Sequence, residues 1–365
     1  VDVRDNRHVI DWFPGDHPEM PPIIKNGPAA APDSIRRGCG SCHLPNGWGR
    51  PENGPPGGLP FEYAMRQLRD FRLGLRRSAD WRKQNFYTMA RLAMAMTEQE
   101  MIDASKYFAA IKWTRPWVRV VETDVVPKTR INGGLFIAIE DKLTEPIDGR
   151  IIEVPVNSEE AELKRNPHSS WIAYVPPGSV ERGRVLVTTG GAHLDGRTMV
   201  EGHTMACGKC HGPALLGMDD APPIAGRSPS YLARQIYDIQ QGARMGPNAA
   251  MMRPVVANLT PDDIVAITAY IGSLPPSGGV APTPPSFGPR SRWAVTAVDS
   301  RGRLRSSLPK LSAASPRVRS DRCSLTNRSR VGTSSSSRSS VTEQTTSSSS
   351  ARSKISIRWV SIRAT

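Results

Sequence analysis

The spacing of apolar residues predicts amphipathic helices in two separate parts of the chain. The segments FEYAMRQLRDFRLGLR (61–76) and PSYLARQIYDIQQGAR (229–244) place apolar side chains three or four positions apart and end near a glycine. Further along, Thr97 and Thr260 each precede acidic residues and a second amphipathic run. A threonine followed by acidic residues is typical of a helix N-terminus, so both are predicted N-caps.

Between these helical parts, residues 113–194 carry a different pattern. It contains the runs LFIAIEDKL, GRIIEVPVN, SWIAYVPPG and GRVLVTTGG, which are rich in β-branched residues and broken by proline and glycine. Such runs predict short strands and turns. The segment has neither a G-x-G-x-x-G sequence nor a P-loop, and no catalytic constellation. We therefore expect it to hold its two neighbours against each other, with docking of a partner as the alternative.

The net charge of +14 would favour a nucleic-acid partner if it were spread over the chain. However, residues 290–365 carry 16 of the 48 Lys and Arg residues but only 3 of the 34 Asp and Glu residues. This Ser/Arg-rich tail has few apolar residues and is predicted to be disordered, after a Pro-rich linker at 276–289. We expect no nucleic-acid partner; a tail that binds an anionic surface or nucleic acid is the alternative. No apolar run reaches the roughly 18–20 residues of a membrane helix.

Four of the five cysteines lie in two copies of the motif Cys-x-x-Cys-His. The thiols are those of Cys39, Cys42, Cys207 and Cys210, and the histidines are His43 and His211. Two thiols on one helical turn can add to the vinyl groups of a porphyrin, and the adjacent histidine then lies under the iron. A thioredoxin-like dithiol is disfavoured because neither copy has a strand-to-helix context. A single zinc site is disfavoured because the two cysteine pairs lie too far apart in the sequence. The motifs predict two haem c groups.

The two motifs also begin an internal repeat. When Cys39 is aligned with Cys207, the same register matches Pro55 with Pro223, Tyr63 with Tyr231, and Arg76 with Arg244. In a slightly shorter register further on, Met89 matches Met252. Each copy is predicted to contain an attachment helix, a Pro-rich loop, a central helix, a loop with the methionine and a last helix.

This layout resembles a class I cytochrome c. Two such units in one chain are similar to the dihaem cytochrome c4 family and related proteobacterial cytochromes, over about residues 30–112 and 195–275. The resemblance implies a mainly α fold with two class I cytochrome c domains over those ranges. The β-containing segment 113–194 would join them, and residues 1–29 would form an N-terminal extension.

The resemblance also implies the ligands of each iron. His43 and His211 would be the proximal ligands. Pro55 and Pro223, twelve residues further on, would offer their carbonyls to the second nitrogen of each ring.

A methionine thioether would supply the sixth ligand. Met89 and Met252 hold the same place, eight residues before the capping threonines, and are the expected ligands. Met251 is the alternative in the second unit, whereas Met94 and Met96 are expected to fill the core.

Each of four further residues has two alternative roles. Arg76 and Arg244 follow the central helices and either pair with haem propionates or lie solvated on the surface. His193 and His203 precede the second motif and are expected to be surface histidines, with replacement of a methionine ligand as the alternative.

Two haems with both axial positions filled predict one-electron transfer, not catalysis at an open iron. The family resemblance implies a periplasmic protein, soluble or loosely associated with the membrane. The expected partners are redox proteins: a dehydrogenase or bc1-type donor and a terminal oxidase as acceptor. The alternatives are a dihaem oxidoreductase of the peroxidase or thiosulfate dehydrogenase type, and the haem subunit of a membrane-bound dehydrogenase complex.

Overall fold

Two helical lobes flank a β-containing segment in this computed structural model, which describes residues 8–113, 116–139 and 143–276. All of these residues belong to one compact unit, Val1–Pro284. The predicted tail (290–365) and nearly all of the predicted linker before it lie outside the described residues. Within the described part, no helix is both long and apolar enough to cross a membrane.

The first lobe contains five helices. They are α1 (Pro22–Asn26), α2 (Cys39–His43), α3 (Phe61–Arg72), α4 (Gln84–Ala95) and α5 (Glu98–Ala109). Their apolar faces meet in a core that includes Ile24, Met65, Met101 and Phe108. Because α1 contributes Ile23 and Ile24 to this core, part of the predicted N-terminal extension packs as an element of the lobe.

The second lobe repeats this arrangement. It contains α6 (Ser179–Thr189), α7 (Gly208–His211), α8 (Pro229–Gln240), α9 (Pro247–Val256) and α10 (Pro261–Ser273). A short antiparallel hairpin, with strands His193–Asp195 and Thr198–Val200, joins α6 to α7.

The linking segment is built on a three-stranded mixed sheet. Its strands are β1 (Val118–Glu122), β6 (Ile152–Pro155) and β7 (Trp171–Val175), in the order β1-β7-β6, with β1 parallel to β7 and β6 antiparallel to it. Two antiparallel pairs complete the segment: β2 (Val125–Pro127) with β5 (Thr144–Pro146), and β3 (Thr129–Asn132) with β4 (Leu135–Ala138). A π-helical turn spans Glu159–Leu163.

The linking segment contacts both lobes through buried groups. Trp48 of the first lobe packs with Trp171 of β7 and with Trp117, which directly precedes β1. On the other side, one carboxylate oxygen of Glu153, in β6, accepts hydrogen bonds from the hydroxyls of Ser228 and Ser230 at 2.8 and 2.5 Å. Burial raises the pKa of Glu153 above its usual value. The linking segment is therefore in contact with both lobes through buried side chains.

Most predicted elements are confirmed. Helices occupy both central segments, and Thr97 and Thr260 each form a complete capping box. Strands lie within three of the four runs predicted as strands. The predicted methionine loops are wrong, because Met89 lies in α4 and Met252 in α9.

The fourth predicted strand, GRVLVTTGG, is also wrong, since it lies in α6. Leu186 and Val187 of this helix pack in the second core with residues of α10. Tertiary packing against α10 outweighs the β propensity of the run. Helix α6 lies within 113–194, the segment predicted to link the domains. We therefore propose that the second domain begins near Ser179 and not at residue 195.

Gly183 allows the close crossing of α6 and α10. A Cβ atom at this position would lie 1.9 Å from the carbonyl oxygen of Ala266 and 2.8 Å from Cβ of Tyr270. A backbone carbonyl cannot move aside as a flexible side chain would, so only glycine fits without parting the helices.

We therefore expect Gly183→Ala to lower the free energy of unfolding by about 2 kcal/mol or more, since overpacking in a core costs roughly 1–3 kcal/mol. Chemical denaturation followed by circular dichroism measures the change. Gly15→Ala is the matched control, because a Cβ atom there meets nothing within 4 Å. Equal stability of the two variants would contradict this account of the helix crossing.

Candidate haem sites

The first attachment motif forms one wall of a cavity in the first lobe. The cavity holds about 370 Å³ and is lined by Cys39, Cys42 and His43 together with Met89. Helix α2 carries the three motif residues on little more than one turn. Its start lies tight against α1, because a Cβ atom at Gly38 would lie 2.3 Å from the carbonyl oxygen of Lys25. The sequence thus folds the motif into a fixed position at the cavity wall.

The His43 ring is held through one nitrogen. Its Nδ1 lies 3.0 Å from the carbonyl oxygen of Gly54, so Nδ1–H donates and Nε2 is left to act as a ligand. Burial lowers the pKa of His43 below its usual value, although the bond to Gly54 acts in the opposite direction. A neutral, oriented imidazole is the form that binds iron.

The second lobe repeats the site. A cavity of about 210 Å³ is lined by Cys207, Cys210, His211 and Met252. Nδ1 of His211 lies 2.9 Å from the carbonyl oxygen of Pro222, and burial again lowers the pKa of the ring. The two motifs therefore serve two separate cavities with the same proximal geometry.

The predicted carbonyl partners of the histidines are wrong by one residue. Gly54 and Pro222 accept the Nδ1–H bonds, not Pro55 and Pro223. Both predicted prolines do line the cavities, but their carbonyls accept hydrogen bonds from the Arg227 guanidinium. The residue count from the histidine locates the turn, but the direction of each peptide oxygen depends on the folded loop.

None of the four motif cysteines, which all lie in the described residues, forms a disulfide. Burial raises the pKa of Cys39 to about 12 and that of Cys207 to about 11. Burial of these two thiols disfavours the thiolate form that redox pairs and metal sites use. The chemistry of this donor set suits thioether bonds to a porphyrin.

The methionines differ in exposure. Met96 is buried in the first core as predicted, but the prediction is wrong for Met94, whose side chain is 65 % exposed. In the second lobe Met252 packs against the core, whereas Met251 is 72 % exposed, yet both line the cavity.

Met205 also lines the second cavity, and the sequence analysis missed it. Its only signal is its place two residues before Cys207. His193 and His203 do not line either cavity. His193 bonds to the carbonyl of Gly191, and Nε2 of His203 lies 3.1 Å from the Asp263 carboxylate.

Arg244 is buried and Arg76 is largely enclosed where the two lobes meet, so their predicted alternative as solvated surface residues is wrong. Arg76 donates to the amide oxygens of Gln67 and Gln235, both at 2.9 Å. Arg244 donates to the same two oxygens, at 2.7 Å to Gln67 and 3.2 Å to Gln235. The backbones of the two arginines also pair as an antiparallel bridge.

This cluster forms a wall shared by both cavities. Tyr63, Gln67, Tyr231 and Gln235 each line both of them, and Arg76 lines the first cavity and Arg244 the second. Within the described residues, neither guanidinium has a carboxylate at ion-pair distance. Burial lowers the pKa of Arg76, which reflects the cost of holding a cation there. Two enclosed cations without carboxylate partners fit the propionates of haem groups in the adjoining cavities.

The first cavity carries further charged residues that the sequence analysis missed. Lys83 and Arg234 line it, as does Glu52. Burial lowers the pKa of Lys83 to about 7. Gly133, in the turn between β3 and β4, lines the cavity as well, so the linking segment closes part of this site. These residues lie far apart in the sequence and share no motif.

Comparisons with known proteins find similarity to c-type cytochromes. The family model described as Cytochrome c matches residues 195–275. Cytochrome c4 of Azotobacter vinelandii is 24 % identical over 253 residues, which are 68 % of this chain and 90 % of that protein. Cytochrome c-554(548) of Halomonas halodenitrificans is 38 % identical over 68 residues, 18 % of this chain and 82 % of that protein.

Other matches span less of the related protein or are more remote. The thiosulfate dehydrogenase electron acceptor of Stutzerimonas stutzeri is 33 % identical over 95 residues, covering 26 % of this chain and 39 % of that protein. Reduced cytochrome c4 from Pseudomonas stutzeri is a solved structure with a TM-score of 0.40 and 22 % identity, over 65 % of this chain and 93 % of the other.

Motifs, cavities and relatives together define a c-type cytochrome, a protein of electron transfer that binds haem c covalently. The chain belongs to the cytochromes c, and its similarity to cytochrome c4 extends over 68 % of its length.

The shared wall leads to a prediction about stability. Gln235→Ala removes an acceptor from both enclosed guanidiniums, and an unsatisfied buried polar group costs about 1–3 kcal/mol. We expect a loss of that size in the free energy of unfolding, measured by chemical denaturation. Gln241→Ala, at an exposed position at the end of the same helix, should change stability by less than about 0.5 kcal/mol. A similar small change in both variants would argue against the wall as a stabilising element.

Proposed function

We propose that the chain carries single electrons between redox proteins of the periplasm through two haem groups, one in each cavity. The observation that carries this proposal is the repeated donor set: each cavity is lined by two motif cysteines, a motif histidine and a methionine in register. Haem iron bound there would supply reversible Fe(III)/Fe(II) chemistry.

In this proposal the chain's own residues perform three tasks. The cysteines hold the porphyrin covalently, while His43 and His211 present Nε2 to the iron with Nδ1 fixed on a backbone carbonyl. The apolar cores exclude water and limit the reorganisation that accompanies a change in charge.

Met89 and Met252 are the proposed sixth ligands. Each lines the cavity that contains the proximal histidine of its own lobe. A thioether favours Fe(II) and gives a higher potential than a second histidine. If His43 with Met89 and His211 with Met252 hold the two irons, the protein would leave no iron position for a substrate, and the bound haems would supply electron transfer without catalysis.

The wall between the cavities supports transfer between the two haems. Tyr63, Tyr231 and the paired glutamines line both sites, and Arg76 and Arg244 would hold the propionates of haems bound in the two cavities. The wall would also keep water out of the gap.

The proposed partners are a dehydrogenase or bc1-type complex as donor and a terminal oxidase as acceptor. Periplasmic location, including loose association with the membrane surface, remains part of the proposal.

A second candidate function has one specific observation in its favour. The related proteins of Stutzerimonas stutzeri and Thiomonas intermedia are named as electron acceptors of thiosulfate dehydrogenase. The chain could by analogy be the haem subunit paired with an oxidoreductase. Co-purification of a catalytic subunit from native cells, with electron transfer into this chain on addition of its substrate, would favour that function.

Substitution of the methionines tests the ligand assignment. We expect Met252→Ala to abolish the thioether-to-iron absorption band of one oxidised haem, and Met89→Ala that of the other, because each removes an iron ligand. The measurement is the absorption spectrum of the purified oxidised protein, with haem counted by the pyridine haemochrome method.

The chain offers a matched control for each substitution. Met251→Ala and Met94→Ala alter exposed methionines next to or near the proposed ligands and should leave both bands intact. Loss of a band in Met251→Ala but not in Met252→Ala would transfer the ligand role to Met251. One haem per chain, or a high-spin haem in the unmodified protein, would contradict the two-haem carrier.

A further inference from the structure

Arg227 breaks the symmetry of the internal repeat. In the register that aligns Cys39 with Cys207, the residue opposite Arg227 is Leu59. The arginine precedes α8, and its side chain is buried, with 4 % of the residue exposed. One lobe therefore supplies a buried cation that the other lacks.

The guanidinium of Arg227 bonds to both lobes at once. Its Nε donates to the carbonyl oxygen of Pro223 at 2.7 Å, within its own lobe. Nη1 donates to the carbonyl oxygen of Pro55 at 2.5 Å, and Nη2 to that of Gly57 at 3.2 Å, both in the first lobe. Its carbon lies 4.8 Å from the centre of the Trp113 ring, within range of a cation–π contact.

These carbonyls belong to the loops that hold the proximal histidines. Pro55 directly follows Gly54, which accepts the bond from His43. Pro223 directly follows Pro222, which accepts the bond from His211. A proline ring fixes φ, so anchoring the carbonyl of the proline also restrains the peptide before it. One side chain thus restrains the acceptors of both histidines.

The charge of Arg227 stays in place at neutral pH. Burial lowers its pKa to about 10, which still leaves the guanidinium protonated. Within the described residues no carboxylate lies within ion-pair distance of it. A buried cation near an iron favours Fe(II) over Fe(III), and its effect is larger in a poorly solvated interior than in water. Arg227 lines the second cavity and not the first, so its charge would act most directly on iron in the second cavity. It reaches the first site through its bonds to the carbonyls of Pro55 and Gly57, in the loop that holds His43.

We propose that Arg227 is a positioning residue that clamps both proximal loops with one guanidinium and raises the reduction potentials of the two haems together. This inference rests on the proposed two-haem function. It differs from the role of Arg76 and Arg244, which bond to side-chain amides in the shared wall and not to the proximal loops.

The test replaces the guanidinium with a neutral amide in the full holoprotein. For Arg227→Gln we expect both midpoint potentials to fall, as measured by spectroelectrochemical titration. We also expect the backbone amides of loops 53–58 and 221–226 to exchange with solvent about tenfold faster, because bonds to a charged donor are stronger than neutral ones. The Met89→Ala and Met252→Ala variants assign each potential to its haem.

Arg234→Gln is the matched control. Arg234 is a partly buried arginine on α8, two turns further on, which lines the first cavity but not the second and donates to the carbonyl of Pro51. We expect this variant to shift the potential of the first haem alone and to leave exchange in loop 221–226 unchanged. Equal changes in Arg227→Gln and Arg234→Gln would show that loss of any enclosed arginine has this effect, which would contradict a specific role for Arg227.

A change at only one haem in Arg227→Gln, or no change in either potential, would overturn the inference. If Arg227→Gln does not assemble with haem, Arg227→Lys tests the clamp by itself, because it keeps the charge but not the planar fork. We expect faster exchange in both loops with smaller shifts in potential, and exchange unchanged in either loop would refute the clamp.

A haemochrome count of one in the unmodified chain would defeat the proposed function, whereas two haems that respond independently would defeat this inference alone.

Discussion

The hydrogen bond from each motif histidine to a backbone carbonyl is the interaction on which the rest of the structure depends. It fixes the imidazole by Nδ1 and leaves Nε2 as the only possible ligand. The bond needs a short helix to carry the histidine and a rigid turn to aim the carbonyl. Both lobes satisfy this with the same parts: an attachment helix packed on the core and a proline directly after the accepting residue. A loose histidine would leave the iron without a defined potential.

Buried positive charge is the second constraint, and it ties the two lobes into one body. Arg76 and Arg244 share the amide oxygens of Gln67 and Gln235, so each arginine donates one hydrogen bond within its own lobe and one to the other lobe. Separating the lobes would leave these groups without partners. Haem propionates bound in the two cavities would neutralise the charges of the two arginines. Cofactor binding would then stabilise the association of the lobes, and that association would stabilise the bound cofactor.

The linking segment adds a third kind of contact. It is anchored to the first lobe by tryptophan packing and to the second by the buried Glu153 carboxylate, and its β3–β4 turn reaches the first cavity. The two sites therefore differ in their surroundings despite the repeat. The first cavity is bordered by Lys83, Glu52 and Arg234, whereas the second is bordered by additional methionines. Such differences in local charge and polarity would give haems bound in the two cavities different potentials.

The sequence by itself determined what is local or repeated. The two Cys-x-x-Cys-His motifs, the capped last helices and the central helices were all predictable, because neighbouring residues make the interactions involved. Tertiary structure decided the rest. α6 is a helix because α10 covers its face, the carbonyl acceptors shift by one residue because the loops turn, and Arg76 and Arg244 are enclosed because the lobes meet. The Arg227 clamp joins residues from opposite halves of the chain, and such contacts leave no pattern in the sequence because only the folded chain brings them together.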